Sequence, residues 1–220
     1  MVEFAVEDRR STGHLAVPEQ GRSAGVLVLH GWWGLTPFFK SVADRFAQAG
    51  FVAFAPDLYH GKTATTINEA QQLIGALDVN EAYQEIIAAV EHLHAHEAVC
   101  GDGLGVVGFS MGGSGALLLK EHIVAVITVY GSAQPEQIAA QAAFQGHFPE
   151  HDEFESVEVV QQVEEHIRAL GREVTFYTYS GVQHWFFETD RPAYYDEAAA
   201  TLVWQRMIEF LRNHLTEVVV

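Results

Sequence analysis

GVVGFSMGGSGALLLKEH, residues 105–122, is the stretch on which the reading of this chain turns. Its first five residues form a short apolar run fit for a strand, and 112–122 read as helix. The pentapeptide Gly108-Phe109-Ser110-Met111-Gly112 therefore falls on the turn between them. A serine on such a strand–turn–helix elbow sits in a strained backbone geometry that lifts its hydroxyl above the sheet edge. The flanking glycines follow, because a side chain there would collide with the neighbouring strand and helix. A plainer reading makes Ser110 a helix cap; its place on the elbow favours a nucleophile. A second pattern overlaps the first, since Gly103-Leu-Gly105-Val-Val-Gly108 is literally G-x-G-x-x-G. A dinucleotide loop must follow a strand and open a helix. These glycines precede and run through the predicted strand, so the cofactor reading is rejected.

Outward from the elbow, short β-branched runs alternate with longer helical stretches. That pattern predicts an α/β fold with a doubly wound, mostly parallel sheet and helices on both faces. A hairpin is expected over 2–6 and 12–17, with strands at 25–30, 51–55, 104–109, 123–129, 142–147 and 173–179. Helices are expected over 37–49, 67–95, 111–121, 134–140, 155–170 and 192–215. Pro37 suits a first helical turn, and Gly50 stands just past that helix's end. No repeat, low-complexity segment or linker divides the chain, so residues 1–220 read as a single domain with little or no cap.

An α/β-hydrolase arrangement runs Ser…Asp/Glu…His along the chain. Of twelve histidines, His184 is the late one on a loop, between EVTFYTYS and the final helix, whereas His166 and His214 fall in helices. Asp152, after the strand at 142–147, is the expected acid, with Glu150 and Glu153 as fallbacks. His147 and His151 bracket it and could be read as metal ligands, though a polar loop is the simpler account. His92, His94 and His96 close a helix, where side chains two apart share no face; they read as a solvated helix end. The oxyanion hole needs two backbone N–H groups, and the amides of Trp32 and Met111 are the candidates. Trp33, Phe38, Tyr59, Trp185 and Phe186 are expected to line an apolar substrate pocket. Arg191 is the one nearby cation, and reads as a surface salt bridge.

Composition bounds the partners. The chain has 220 residues, with 12 Lys+Arg against 29 Asp+Glu, a net charge of -17 and one cysteine, Cys100. Nucleic acid and anionic membranes select basic surfaces, so neither is an expected partner. One cysteine excludes an intrachain disulfide and a multi-thiolate metal site. MVEFAVEDRR does not read as a secretion signal, and no apolar run has bilayer-spanning length. The cytoplasm is the expected compartment. Oligomeric state stays open between monomer and homodimer; the tail at Glu217–Val220 could dock on itself or on a partner, though a frayed end is the simpler account.

Four segments together resemble the dienelactone hydrolase family. They are LHGWWGLTPFFKSVADRFAQAGFVAFAPDLYHG (29–61), VVGFSMGG (106–113), GHFPEHDEF (146–154) and SGVQHWFFETDRPAYYDEAAATLVWQRMIEFLRNHL (180–215). The resemblance implies a compact α/β-hydrolase without a large cap. Its spacing fits as well, with 42 residues from Ser110 to Asp152 and 32 more to His184. Three departures stand out. Ser110 replaces the namesake enzymes' cysteine, and Gly31 replaces the glutamate associated with tuning that thiol. Glu188 takes the place of an arginine that holds the substrate carboxylate, and no Lys or Arg lies between Lys62 and Lys120. The expected activity is hydrolysis of small uncharged esters or lactones through an acyl-enzyme, with no metal or organic cofactor. A catalytically silent ligand-binding relative is the alternative, and a dinucleotide-dependent oxidoreductase a distant third.

Overall fold

The computed structural model describes residues 1–138 and 141–215. Strands β1 (Val2–Val6), β2 (Arg9–Ala16), β3 (Gly25–Leu29), β4 (Val52–Pro56), β5 (Leu104–Phe109), β6 (Ile123–Val129), β7 (Ala143–Pro149) and β8 (Val174–Tyr179) form one sheet. Its order is β1-β2-β4-β3-β5-β6-β7-β8. The pairs β1–β2 and β2–β4 are antiparallel, and every pair from β4–β3 onward is parallel. The doubly wound, mostly parallel sheet is therefore as expected. Among the described residues no helix is long and apolar enough to cross a membrane.

Helices α1 (Pro37–Gln48), α2 (Ile67–Ala76), α3 (Val79–His94), α4 (Met111–Leu118), α5 (Val157–Ala169) and α6 (Glu197–His214) cover the faces. Period-2 alternation sorts each central strand between them. Val26, Val28, Val107 and Phe109 pack with Phe39, Val42, Met207 and Leu211 of α1 and α6. Leu27, Leu29, Leu104 and Val106 pack with Ile86, Leu93, Leu117 and Ile167 of α3, α4 and α5. Every residue of β3 and β5 is buried, the mark of strands covered on both faces.

The outline departs from expectation at element ends. The predicted helix 67–95 is two helices: Leu77 is extended, and Asp78 accepts from the amides of Asn80 and Glu81 to start α3. The last helix begins at Glu197 rather than 192, where the Asp196 side chain accepts from Ala199 N. The helix expected over 134–140 is a 3-10 turn at Pro135–Gln137, with 139–140 outside the described residues. The tail at Glu217–Val220 also lies outside them. What the topology supplies is one working edge, onto which β3, β5, β6, β7 and β8 all deliver their C-terminal loops.

Candidate active site

At the end of β5, Ser110 holds φ 51° and ψ −117°, far from helical values, immediately before α4. Its amide is tied to Val129 O at 2.9 Å. A Cβ on Gly108 would stand 2.1 Å from Gly112 O, and one on Gly131 would stand 2.3 Å from Ser110 O. Glycine is the residue that lets three chain segments meet there. The Ser110 side chain makes no capping hydrogen bond to α4. Its hydroxyl instead lies 2.9 Å from His184 Nε2.

His184, nearly buried in the loop after β8, turns Nδ1 to both carboxylate oxygens of Asp152, at 2.9 and 2.8 Å. A carboxylate can only accept, so Nδ1 carries the proton and Nε2 is left to accept from the serine hydroxyl. Asp152 Oδ1 also accepts from Phe154 N at 2.9 Å and Glu155 N at 3.3 Å, which fixes the acid in its turn. Glu150 and Glu153 point to solvent. The structure thus brings Ser110, His184 and Asp152 into one hydrogen-bonded series.

Gly31 abuts the nucleophile, since a Cβ there would lie 3.6 Å from that of Ser110. The following amide of Trp32 and that of Met111 have no hydrogen-bond acceptor among the described residues. His30, fully buried, steadies this loop: Nδ1–H donates to Gly31 O at 2.7 Å and Nε2 accepts from Leu58 N at 3.2 Å. Burial holds its pKa below the ordinary histidine value, which keeps the acceptor nitrogen free. Sequence reasoning passed over His30, although a histidine at the end of a fully apolar strand is a visible signal.

The expected aromatic pocket is only partly assembled. A cavity of about 210 Å³ beside the series is lined by Asp152, Phe154, Gln183, His184, Trp185 and Tyr194, with the exposed His151 and Glu153. Trp185 therefore lines it. Phe154, half exposed and absent from the expected set, packs 4.8 Å from the His184 ring. Phe38 and Phe186 are instead core residues, packed on Phe39 and Tyr130. Trp33 is also buried, with the Arg191 guanidinium 3.7 Å over its ring. Arg191 is thus stacked on an indole rather than salt-bridged at the surface. Tyr59 reaches Met111 Sδ at 3.5 Å and lines a separate cavity with Lys62 and Glu85.

Two further acids lie near the series, Glu155 within electrostatic reach of His184 and Glu188 beyond the Tyr130 ring that packs on it. Glu155 accepts a hydrogen bond from Ser132 Oγ, and burial pushes its carboxyl pKa up. Glu188 is fully buried and accepts from Tyr130 Oη at 2.9 Å. Glu155 was not expected near the site, and Glu188 was noted only as standing where the resemblance implies an arginine. The metal-binding alternatives do not assemble: His147 is buried between Gln145 and Tyr179, His92 packs against Phe4 and Phe54, and His94 stacks on His122. Among the described residues no three His, Cys, Asp or Glu side chains converge on a common point.

Residues 12–215 match the profile of the dienelactone hydrolase family. Protein usf of Aquifex pyrophilus is 34% identical over 229 residues, covering 98% of this chain and 99% of its own. A carboxymethylenebutenolidase of Rhodococcus opacus is 26% identical, over 97% of this chain and 92% of its own. Among solved structures, a dienelactone hydrolase-like promiscuous phosphotriesterase from metagenomic libraries superposes with a TM-score of 0.87 at 22% identity, over 98% of this chain and 97% of its own. At that identity the likeness is one of fold.

Proposed function

Because the chain belongs to the dienelactone hydrolase family, we propose that it is a serine hydrolase cleaving small uncharged carboxylic esters or lactones through an acyl-enzyme. The observation that carries this reading is the series Ser110 Oγ–His184 Nε2 at 2.9 Å and His184 Nδ1–Asp152 at 2.8 Å, standing on a strained elbow.

In the reaction so read, Ser110 Oγ attacks the carbonyl carbon as its proton passes to His184 Nε2. The amides of Trp32 and Met111 receive the developing oxyanion; removing one such donor typically costs about 10²–10³ in rate. His184 then returns the proton to the leaving alkoxide. Asp152 holds the required tautomer and stabilises the imidazolium. Water takes the alcohol's place and repeats the path to free the acid. None of these steps calls on a metal or an organic cofactor.

Charge narrows the substrate. No Lys or Arg lines the cavity beside His184, whereas Asp152 and Glu153 do. Glu188 occupies the position where the family resemblance implies an arginine for the substrate carboxylate. An anionic substrate would find no cation at that position, and would meet repulsion from a chain of net charge -17. The chain is read as one domain, acting on diffusible small molecules in the cytoplasm.

Hydrolysis of p-nitrophenyl acetate and butyrate by wild type and Ser110→Ala, side by side, tests the proposal. Wild type is expected to turn over, and Ser110→Ala to lose at least about 10⁴-fold in kcat. Equal turnover by both would sink the serine assignment. Activity that followed Cys100 instead would identify a different nucleophile.

A further inference from the structure

Against the His184 ring lies a buried polar pair that the hydrolytic steps do not use. Tyr130 follows β6 with φ 42°, its amide held by His147 O at 2.8 Å. Its ring packs 4.6 Å from the His184 ring and 5.6 Å from Phe186. Its phenol donates to Glu188 Oε1 at 2.9 Å, and both side chains are wholly buried. Glu188 also closes the turn that follows the histidine: its amide donates at 2.9 Å to the carbonyl of Trp185, which is itself strained at φ 68°.

Glu188 is costly where it stands. Its Oε2 is buried and has no hydrogen-bond partner among the described residues. An unsatisfied buried polar atom costs about 1–3 kcal/mol, and an apolar side chain would avoid that cost. The groups facing the pair are Asp190, which accepts from Thr36 Oγ1 at 3.4 Å, the Arg191 guanidinium, and Asp152 beyond the tyrosine. No cation is hydrogen-bonded to the Glu188 carboxyl among the described residues. Such an expensive group, one aromatic ring away from a reactive histidine, calls for a role.

We propose that Tyr130 and Glu188 form a bolt that positions His184: Glu188 fixes the Tyr130 phenol, and the Tyr130 ring in turn stops the imidazole from swinging off the Ser110–Asp152 line. Both are positioning residues, and neither touches substrate. The inference rests on the hydrolase reading of the same site. It also explains why the charge at position 188 can invert relative to the family resemblance, because here the side chain turns into the interior rather than toward a ligand. Burial pushes the Glu188 carboxyl up to about 8, so the bolt is charge-neutral at pH 7 and gains a buried charge above that pH.

The test compares Tyr130→Phe, Glu188→Met and Glu188→Gln on p-nitrophenyl acetate between pH 6 and 9.5. A misplaced general base costs roughly 10–100-fold. Tyr130→Phe and Glu188→Met should lose that much in kcat, with KM within about twofold of wild type. Glu188→Gln keeps the acceptor and should recover kcat to within about threefold, while removing an inflection in kcat near pH 8 that wild type shows. Unchanged kcat in Tyr130→Phe, an equal loss in Glu188→Gln and Glu188→Met, or an inflection surviving in Glu188→Gln would each overturn the proposal. A purely structural role would lower Tm and leave kcat per folded molecule intact. The downfield His184 Nδ1–H proton resonance reads the same effect without turnover: sharp in wild type and Glu188→Gln, exchange-broadened in the other two. If wild type hydrolysed no ester yet this spectral pattern held, the hydrolase reading would fail and the bolt would stand.

Discussion

At the scale of single residues, the working edge depends on places where no side chain fits. Gly131 shows this most directly, because a Cβ there would meet Ser110 O at 2.3 Å and the Ser114 amide at 3.0 Å. Both are backbone atoms and cannot step aside as a side-chain tip would. Gly131→Ala should therefore cost several kcal/mol, in the upper range for single substitutions, and should shift Ser110 enough to depress kcat as well. A urea titration alongside ester kinetics would check both, and a variant as stable and active as wild type would contradict the crowding. By contrast Gly21, with φ 87° and open space around its Cβ position, should feel only the backbone strain of an L-residue at positive φ. The difference between these glycines was not visible in the sequence. Ser110, Asp152 and His184 were visible, because elbow, chain order and loop position each constrain them and the three constraints agree. Tyr130 and Glu188 were not: they meet across 58 residues, and nothing local says that an acid four places past a histidine turns inward.

At the scale of elements, the strands were legible and the helix ends less so. A stretch with helical spacing and no proline masks the break between α2 and α3, yet its cause lies in the sequence. Asp78 is a capping residue, and Thr66 with Glu69 makes the capping box that opens α2. The same chemistry misplaced the start of α6, where Asp196 caps Ala199 N at 2.8 Å and donates its own amide to Phe186 O at 3.0 Å. The cap thus ties the last helix to the turn carrying His184. Asp196→Ala should cost about 1 kcal/mol, or roughly 2–4 °C in Tm for a chain of this size. Because the backbone tie survives the substitution, kcat should stay within a few-fold of wild type. A loss of kcat far beyond the loss of Tm would show that the cap side chain also holds the histidine. Phe38 and Phe186 were misassigned for a related reason. Both lie next to the working edge in sequence, but α1 turns the first into the core, and the turn after His184 drives the second beneath Tyr130.

At the scale of the whole molecule, buried titratable groups far apart in sequence set how stability depends on pH. His147 is sealed in a directed series: Arg206 donates to Tyr179 Oη at 3.0 Å, Tyr179 to His147 Nδ1 at 2.8 Å, and His147 Nε2–H to Gln145 at 2.9 Å. Burial, with Arg206 nearby, pushes its pKa down to about 3. The native state therefore binds that proton less readily than the unfolded chain, and stability falls as pH drops from about 6.5 toward 3. Glu188 acts in the opposite sense. Its pKa of about 8 lies above the ordinary 4.5, so the native state holds that proton more tightly, and stability falls as pH rises from 4.5 to 8. Between 4.5 and 6.5 the two slopes oppose each other, and above 6.5 the Glu188 slope acts alone. Tm should thus be highest in mildly acidic buffer and fall by several degrees between pH 6.5 and 8, for a loss of about 2 kcal/mol. Repulsion within a chain of net charge -17 predicts a decline of the same sign, so salt separates the two causes. Half-molar NaCl screens exposed charges beyond a few ångströms but leaves a buried carboxyl untouched. The alkaline decline should persist in salt in wild type and flatten in Glu188→Gln. A decline that vanished in salt and survived the substitution would place its origin on the acidic surface.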